Sequence, residues 1–218
     1  MRLSFETALF DVDGTLIDSN GAHADTWAQA LTEYGVEVTA AAVRPLIGMG
    51  GDKLLPKIAH IEADSERGRQ IARRKQELFA GWLPRLQPTR GARALVQYLG
   101  DAGITLVVAT SADEKEMAAL LKQAGVDDLF PKRASKDDAE ESKPDPDIVH
   151  AAMARAKARP ETTVMIGDTP YDVAAAARAS VQAIALRCGG YWTDDDLRGA
   201  IAVFDDPDAF LTMSRNLE

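Results

Sequence analysis

Two carboxylates stand one residue apart in Asp11-Val12-Asp13-Gly14-Thr15-Leu16, where a short apolar run, Thr7-Ala8-Leu9-Phe10, meets a glycine turn. Charged groups at the end of a buried run are costly unless something compensates them. An acidic turn ending in glycine is also an ordinary way to leave a strand, so the pair alone does not decide between structure and chemistry. A calcium-binding EF-hand loop is excluded: setting Asp13-Gly14 at loop positions five and six puts Leu9 and Asn20 at the two end positions, where acids are required. Three further clusters come later in the chain: Thr110-Ser111 and Gly167-Asp168-Thr169-Pro170-Tyr171-Asp172 at the ends of apolar runs, and between them Lys143-Pro144-Asp145-Pro146 in a polar stretch. Each has a plain structural reading, as a helix N-cap, a solvated loop lysine or a turn that caps the next helix. Their order along the chain points to a shared site.

The elements that would position them alternate. Residues 7–10, 104–109, 164–166 and 181–186 are apolar runs without polar alternation, the pattern of strands covered on both faces. Helical patterns lie between the later ones, over 92–99, 114–124, 147–158 and 171–179, stopped by glycine or proline in two cases. Strand and helix in alternation imply βαβ units and a doubly wound, Rossmann-like parallel sheet, an α/β fold. Ligands of such sheets bind beyond the carboxyl ends of the strands, which is where the clusters that end these runs fall. Residues 17–85 break the alternation. Trp27, Ala30, Leu31 and Tyr34 follow helical spacing, and a second helical stretch carries Ile71, Leu78, Phe79 and Trp82. This segment is too long for a βα connection of about 2–6 residues. It is expected to be an inserted α-helical cap domain, its Met and aromatic residues forming its own core, with 1–16 and 86–218 forming the α/β core domain. Residues 135–146 read as an exposed polar loop.

The chain has 218 residues, 46% hydrophobic and 27% charged, within the usage of globular domains, which excludes disordered, collagenous and coiled-coil classes. Its net charge of −9 would repel a phosphate backbone, so no nucleic-acid partner is expected. Cys188 is the single cysteine and can form no internal disulfide, and no signal-peptide pattern is seen, so a cytoplasmic location is expected. The apolar runs are far short of the roughly 20 residues a membrane span needs, so no membrane partner is expected. Monomer and homodimer both remain open.

In order and spacing, DVDGTL at 11–16, the strand ending at Thr110, Lys143 in KPDP and GDTPYD at 167–172 resemble the signatures of the haloacid dehalogenase superfamily of phosphohydrolases. The resemblance spans the chain, because one branch, which includes phosphoglycolate phosphatases and β-phosphoglucomutases, carries a helical cap between the first two signatures. It implies a phosphatase for a small phosphorylated metabolite. Residue chemistry agrees: Asp11, Asp13, Asp168 and Asp172, if brought together, repel one another by on the order of 4 kcal/mol per contact near 4 Å at an effective dielectric of about 20. A cation is needed, and hard oxygen donors beside phosphate suit Mg²⁺. The resemblance assigns Asp11 and Asp168 as its carboxylate ligands and the Asp13 backbone carbonyl as a third, with Asp172 orienting a metal-bound water.

The resemblance further implies that Asp11 attacks phosphorus to form an aspartyl-phosphate, and that Asp13 protonates the leaving alkoxide and then deprotonates the attacking water. An acid that does both is expected to have a raised pKa in so crowded a site. Lys143 would neutralise, and Thr110 with the turn around Gly14, Thr15 and Ser111 would bind the phosphoryl oxygens. Asp13 argues against the dehalogenase and phosphonatase branches, although Lys53, behind Gly48-Met49-Gly50-Gly51, has a setting loosely like the phosphonatase Schiff-base lysine. That glycine segment lacks P-loop spacing and is expected to dip from the cap and help select the leaving group, with Lys53 and His23 as substrate-binding candidates. A mutase would need a basic cap segment that 48–55 does not supply; a non-catalytic scaffold would not need Asp11, Asp13, Lys143 and Asp168. His23, soon after the first signature, is the histidine best placed to face the cleft, whereas His60, His150 and Cys188 read as packing or surface residues.

Overall fold

In the computed structural model, which describes residues 5–216, six strands form one parallel sheet: β1 (Thr7–Phe10), β2 (Thr105–Ala109), β3 (Lys132–Ala134), β4 (Thr163–Gly167), β5 (Gln182–Leu186) and β6 (Ala202–Phe204), in spatial order β3-β2-β1-β4-β5-β6. Successive residues of β1 face opposite layers. Ala8 and Phe10 join one apolar cluster and Leu9 the other, so a strand with no polar alternation is what this position requires. The expected α/β class is the observed one. β3 and β6, which are not among the expected strands, are three-residue edge strands; β6 lies within the apolar run 200–204, whereas β3 has none and its Lys132 and Arg133 are only partly buried.

The helices are α1 (Asn20–Glu33), α2 (Ala40–Val43), α3 (Gly51–Ala59), α4 (Glu66–Ala80), α5 (Ala92–Asp101), α6 (Glu114–Gln123), α7 (Asp147–Ala156), α8 (Pro170–Arg178) and α9 (Pro207–Arg215). Leu95 and Leu99 of α5, Leu120 of α6 and Phe210 of α9 cover one sheet face, and Val149 of α7 and Ala176 of α8 cover the other. β1 and β4 are neighbours although far apart in the chain. The crossovers run outward in both directions from that pair, which opens a crevice at its carboxyl end.

Between β1 and α5 the chain forms α1–α4, packed on a separate cluster that includes Trp27, Leu31, Val43, Leu54 and Ile71. Phe79 departs from the expectation: it lies in the sheet-side cluster and stacks on His23 at 4.0 Å between centroids. The chain leaves and re-enters the sheet layer side by side, with Ile17 bridged to Pro88 and Asp18 N–H donating to the Gln87 carbonyl at 2.9 Å. The 135–146 stretch is exposed at Lys136, Asp137, Asp138, Glu140 and Glu141, as expected of a polar loop, but Ser135, Ser142 and Lys143 within it are buried. Among the described residues no helix is long and apolar enough to cross a membrane.

Candidate active site

β1 ends on Asp11, whose N–H bonds the Ile166 carbonyl of β4 at 2.9 Å, which sets the first acid against the strand that leads to Asp168. Lys143 is 1% exposed, and its ammonium reaches Asp11 Oδ1 at 2.6 Å, Asp172 Oδ1 at 2.8 Å and the Ala109 carbonyl at 2.8 Å. Two hydrogen bonds, to Asp11 and the Ala109 carbonyl, and the charges of two carboxylates compensate its desolvation, which is why a lysine from a polar loop can be buried. Asp168 is held by Thr15 Oγ1 at 3.2 Å on one oxygen and by Asn20 Nδ2 at 2.7 Å on the other. Asp172 caps its own helix, with Oδ2 accepting from Thr169 Oγ1 at 2.6 Å and Thr169 N–H at 3.1 Å.

Asp11, Asp168 and Asp172 each present an oxygen within 4.8 Å of the others. Burial, and after it Asp172 and Asp13, pushes the Asp11 carboxyl up to about 7 despite Lys143. Burial followed by Asp172 and Asp11 raises Asp168 well above the carboxylate range. Lys143 is shifted upward because Asp11 and Asp172 outweigh its own desolvation. Three carboxylates against one ammonium leave two formal negative charges in a buried all-oxygen donor set, which fits a hard divalent cation.

The Asp13 side chain turns away from this cluster. It accepts from Ser19 Oγ at 2.5 Å and lies 2.7 Å from His23 Nε2. Burial acts to raise its pKa, but attraction and hydrogen bonding from His23, with Ser19 and Lys75 adding to them, prevail and lower it. The expected upward shift is therefore corrected: the crowding acids act on Asp11 and Asp168, while Asp13 faces a histidine.

A cavity of about 90 Å³ separates the strand tips from the helical segment; Asp11, Asp13, Thr110 and Ser111 form its floor and His23, Trp27, Gly48 to Gly51 and Lys75 its roof. Ser111 Oγ is buried there without a hydrogen-bond partner among the described residues, and Thr110 Oγ1 accepts from the Ala112 N–H at 3.1 Å. Gly14 and Thr15 lie beneath the site instead of lining it. Thr15 is fully buried on Asp168, and a Cβ on Gly14, at φ +71°, would sit 2.3 Å from Asp168 Oδ2.

Lys53 is not brought to the cavity. It pairs with Glu141 at 2.8 Å and Asp145 at 2.5 Å, and although desolvation opposes it, these bonds raise its pKa, opposite to what an amine nucleophile needs. Cys188 donates its thiol to the Gly14 carbonyl at 3.1 Å, and burial pushes its pKa up, as suits a packing residue. Sequence reasoning missed Asn20 and the pair Lys75–Glu116, which closes one side of the cavity at 3.2 Å. Their partners are remote in the chain, so no local spacing marks them.

The fold and site are those of a phosphoryl-handling hydrolase, and comparison with known proteins agrees. Residues 8–186 match the family model for haloacid dehalogenase-like hydrolases. The chain belongs to that family, and within it is a phosphatase. It is similar to the probable phosphatase IndB of Dickeya dadantii, 30% identical over 190 residues, 85% of this chain and 83% of that one. It is also similar to a phosphoglycolate phosphatase of Rhodospirillum rubrum, 29% identical over 92% of this chain and 87% of the relative. A hydrolase of known structure from Pseudomonas syringae superposes with a TM-score of 0.90 at 26% identity, covering 97% of this chain and 98% of the other.

Proposed function

We propose that the chain is a Mg²⁺-dependent phosphatase that hydrolyses a small phosphorylated metabolite through an aspartyl-phosphate on Asp11. The observation that carries this reading is the Lys143 ammonium fixing Asp11 at 2.6 Å beside Asp168 and Asp172, on the floor of a cavity. In the first step a bond forms from Asp11 to phosphorus as the bond to the leaving oxygen breaks. Asp13 is the acid–base group of this reading: it gives that oxygen a proton, which it takes up against the pull of His23 at 2.7 Å and of Ser19 that lowers its pKa, and it later takes one from the attacking water. Lys143 and the hydroxyls of Thr110 and Ser111 meet the phosphoryl charge, and their burial strengthens each contact. Mg²⁺, held by Asp11 and Asp168 with Asp172 beside them, supplies further charge neutralisation when bound.

The roof selects the leaving group. Lys75 is its buried cation, 4.5 Å from the Phe79 ring centroid and paired with Glu116, so phosphoesters with a compact anionic leaving group, such as 2-phosphoglycolate, are the substrates we favour. Phosphate release from p-nitrophenyl phosphate with Mg²⁺ tests the reading, with Asp11→Asn expected to abolish turnover. Asp13→Asn is expected to slow an alkyl phosphate by about 10²–10⁴ and p-nitrophenyl phosphate far less, because nitrophenolate departs unprotonated. Wild-type turnover by Asp11→Asn would overturn the mechanism.

A further inference from the structure

Asn20 is the first residue of α1 and belongs to the helical segment, yet its side chain is spent on the sheet side of the molecule. It is 4% exposed. Its Nδ2 donates to Asp168 Oδ2 at 2.7 Å and approaches the Gly189 carbonyl at 3.5 Å. That carbonyl also accepts from Arg44, a second residue of the segment. The backbone of residues 187–190 presses on the same carboxylate, since a Cβ on Gly189 would lie 1.8 Å from Asp168 Oδ2. Asp168 is thus oriented by a core hydroxyl on one oxygen and by an amide of the inserted segment on the other. Each carboxylate oxygen has a second acceptor position, so one donor on each fixes the plane and leaves lone pairs for a cation.

A second feature points the same way. Asn20 Oδ1 is buried and has no hydrogen-bond partner among the described residues. An amide placed only to tie α1 to the sheet would be expected to use both ends, because buried polar atoms are nearly always paired. An unused acceptor beside a carboxylate cluster suits a site that meets a hydrated cation, since Mg²⁺ keeps several of its waters and these donate.

Resting on the divalent-ion reading above, we infer that Asn20 is a positioning residue: its amide holds Asp168 in the ligating orientation, and thereby couples ion affinity to the placement of the inserted segment. Movement of α1 away from the sheet withdraws the amide from Asp168 and weakens the ion site. By linkage, ion binding must favour the placement in which Asn20 is docked, by the same factor.

The test is calorimetric titration of Mg²⁺ into the substrate-free protein, with amide hydrogen exchange of α1 as a second readout. Asn20→Ala is expected to weaken Mg²⁺ binding by about 10-fold or more, within the range for residues that orient metal ligands. Activity lost at limiting Mg²⁺ should be recovered as the ion is raised, which separates a loss of ion affinity from a loss at the reacting groups. Mg²⁺ should slow exchange in α1 in the wild type and do so much less in the variant. Asn20→Ser, which keeps a donor on a shorter arm, is measured identically and serves if the alanine protein does not fold; its affinity should fall below that of wild type, by no more than in the alanine variant. An unchanged Mg²⁺ affinity in whichever variant folds overturns the role of Asn20, as does a loss confined to kcat. Absence of Mg²⁺ binding by the wild type would instead overturn the divalent-ion reading itself, so the two failures are distinguishable.

Discussion

Replacing Asp11, the proposed nucleophile, should make the metal-free protein more stable at neutral pH. The Asp11 carboxyl is raised from 3.8 to about 7, with burial the largest cause. The folded state therefore binds this proton more tightly than the unfolded chain does. Stability from this group is fully present below about pH 4 and is lost as pH rises toward 7. A shift of that size corresponds to about 4 kcal/mol lost by pH 7.5. Asp11→Asn removes the titration but leaves Lys143 with one charged partner, Asp172 at 2.8 Å, and the Ala109 carbonyl. Weakening a hydrogen bond to a charged group costs about 1.5–3 kcal/mol, so the net gain is about 2 kcal/mol. For a chain of this length that is a rise in Tm of about 4–8 °C.

The assay is thermal unfolding of wild type and Asp11→Asn in chelator at about pH 5 and about pH 7.5. The variant should gain at the higher pH and little at the lower. Adding Mg²⁺ should then raise the wild-type Tm more than the variant's, because the ion binds the folded state and the variant lacks one ligand. A variant less stable than wild type in chelator at the higher pH would refute the account of Asp11 as a buried charge awaiting a cation.

Gly189→Ala places a methyl within 1.8 Å of Asp168 Oδ2 and should weaken Mg²⁺ affinity by about 10–100-fold, read by titration of activity against the ion. Lys53→Ala removes two part-exposed ion pairs outside the cavity, so kcat/KM should stay within about twofold and stability within about 1 kcal/mol; borohydride should trap no substrate adduct on Lys53 in the wild type. Glu116→Gln frees Lys75 from its partner, and the KM for 2-phosphoglycolate should fall about fivefold, with ethyl phosphate unaffected, for a pair worth about 1 kcal/mol. Steady-state kinetics with both esters checks it; an equal change for both would show that Glu116 acts on something other than leaving-group charge.

The central strands were legible because burial on both faces admits only apolar residues, and the polar cluster after each run marks its carboxyl end. Thus β1, β2, β4 and β5 and the clusters at Asp11, Thr110 and Asp168 follow from local pattern. β3 escaped because an edge strand pairs on one side only and tolerates Lys132 and Arg133. The burial of Lys143 could not be read from 135–146, since its partners are 132 and 34 residues away and only the folded sheet supplies them. The direction of the Asp13 shift depends on the rotation of α1 that brings His23 to it, and helical periodicity does not fix that rotation to within one side chain. For Asn20, a short polar residue at a helix start reads as a cap, whereas Ser19 occupies the cap position and Asn20 reaches across to Asp168.

Because Ile17 and Pro88 are bridged neighbours, the sheet experiences some seventy intervening residues as though they were a tight hairpin. A longer, shorter or unrelated bundle spliced between these two points would disturb neither β1 nor the acid at its tip. On the proposed reading, substrate preference is carried by this module and the bond to phosphorus is made at the sheet. The graft has conditions: whatever replaces the bundle must bring, in its opening turns, partners for Asp13 where Ser19 and His23 now stand and a donor for Asp168.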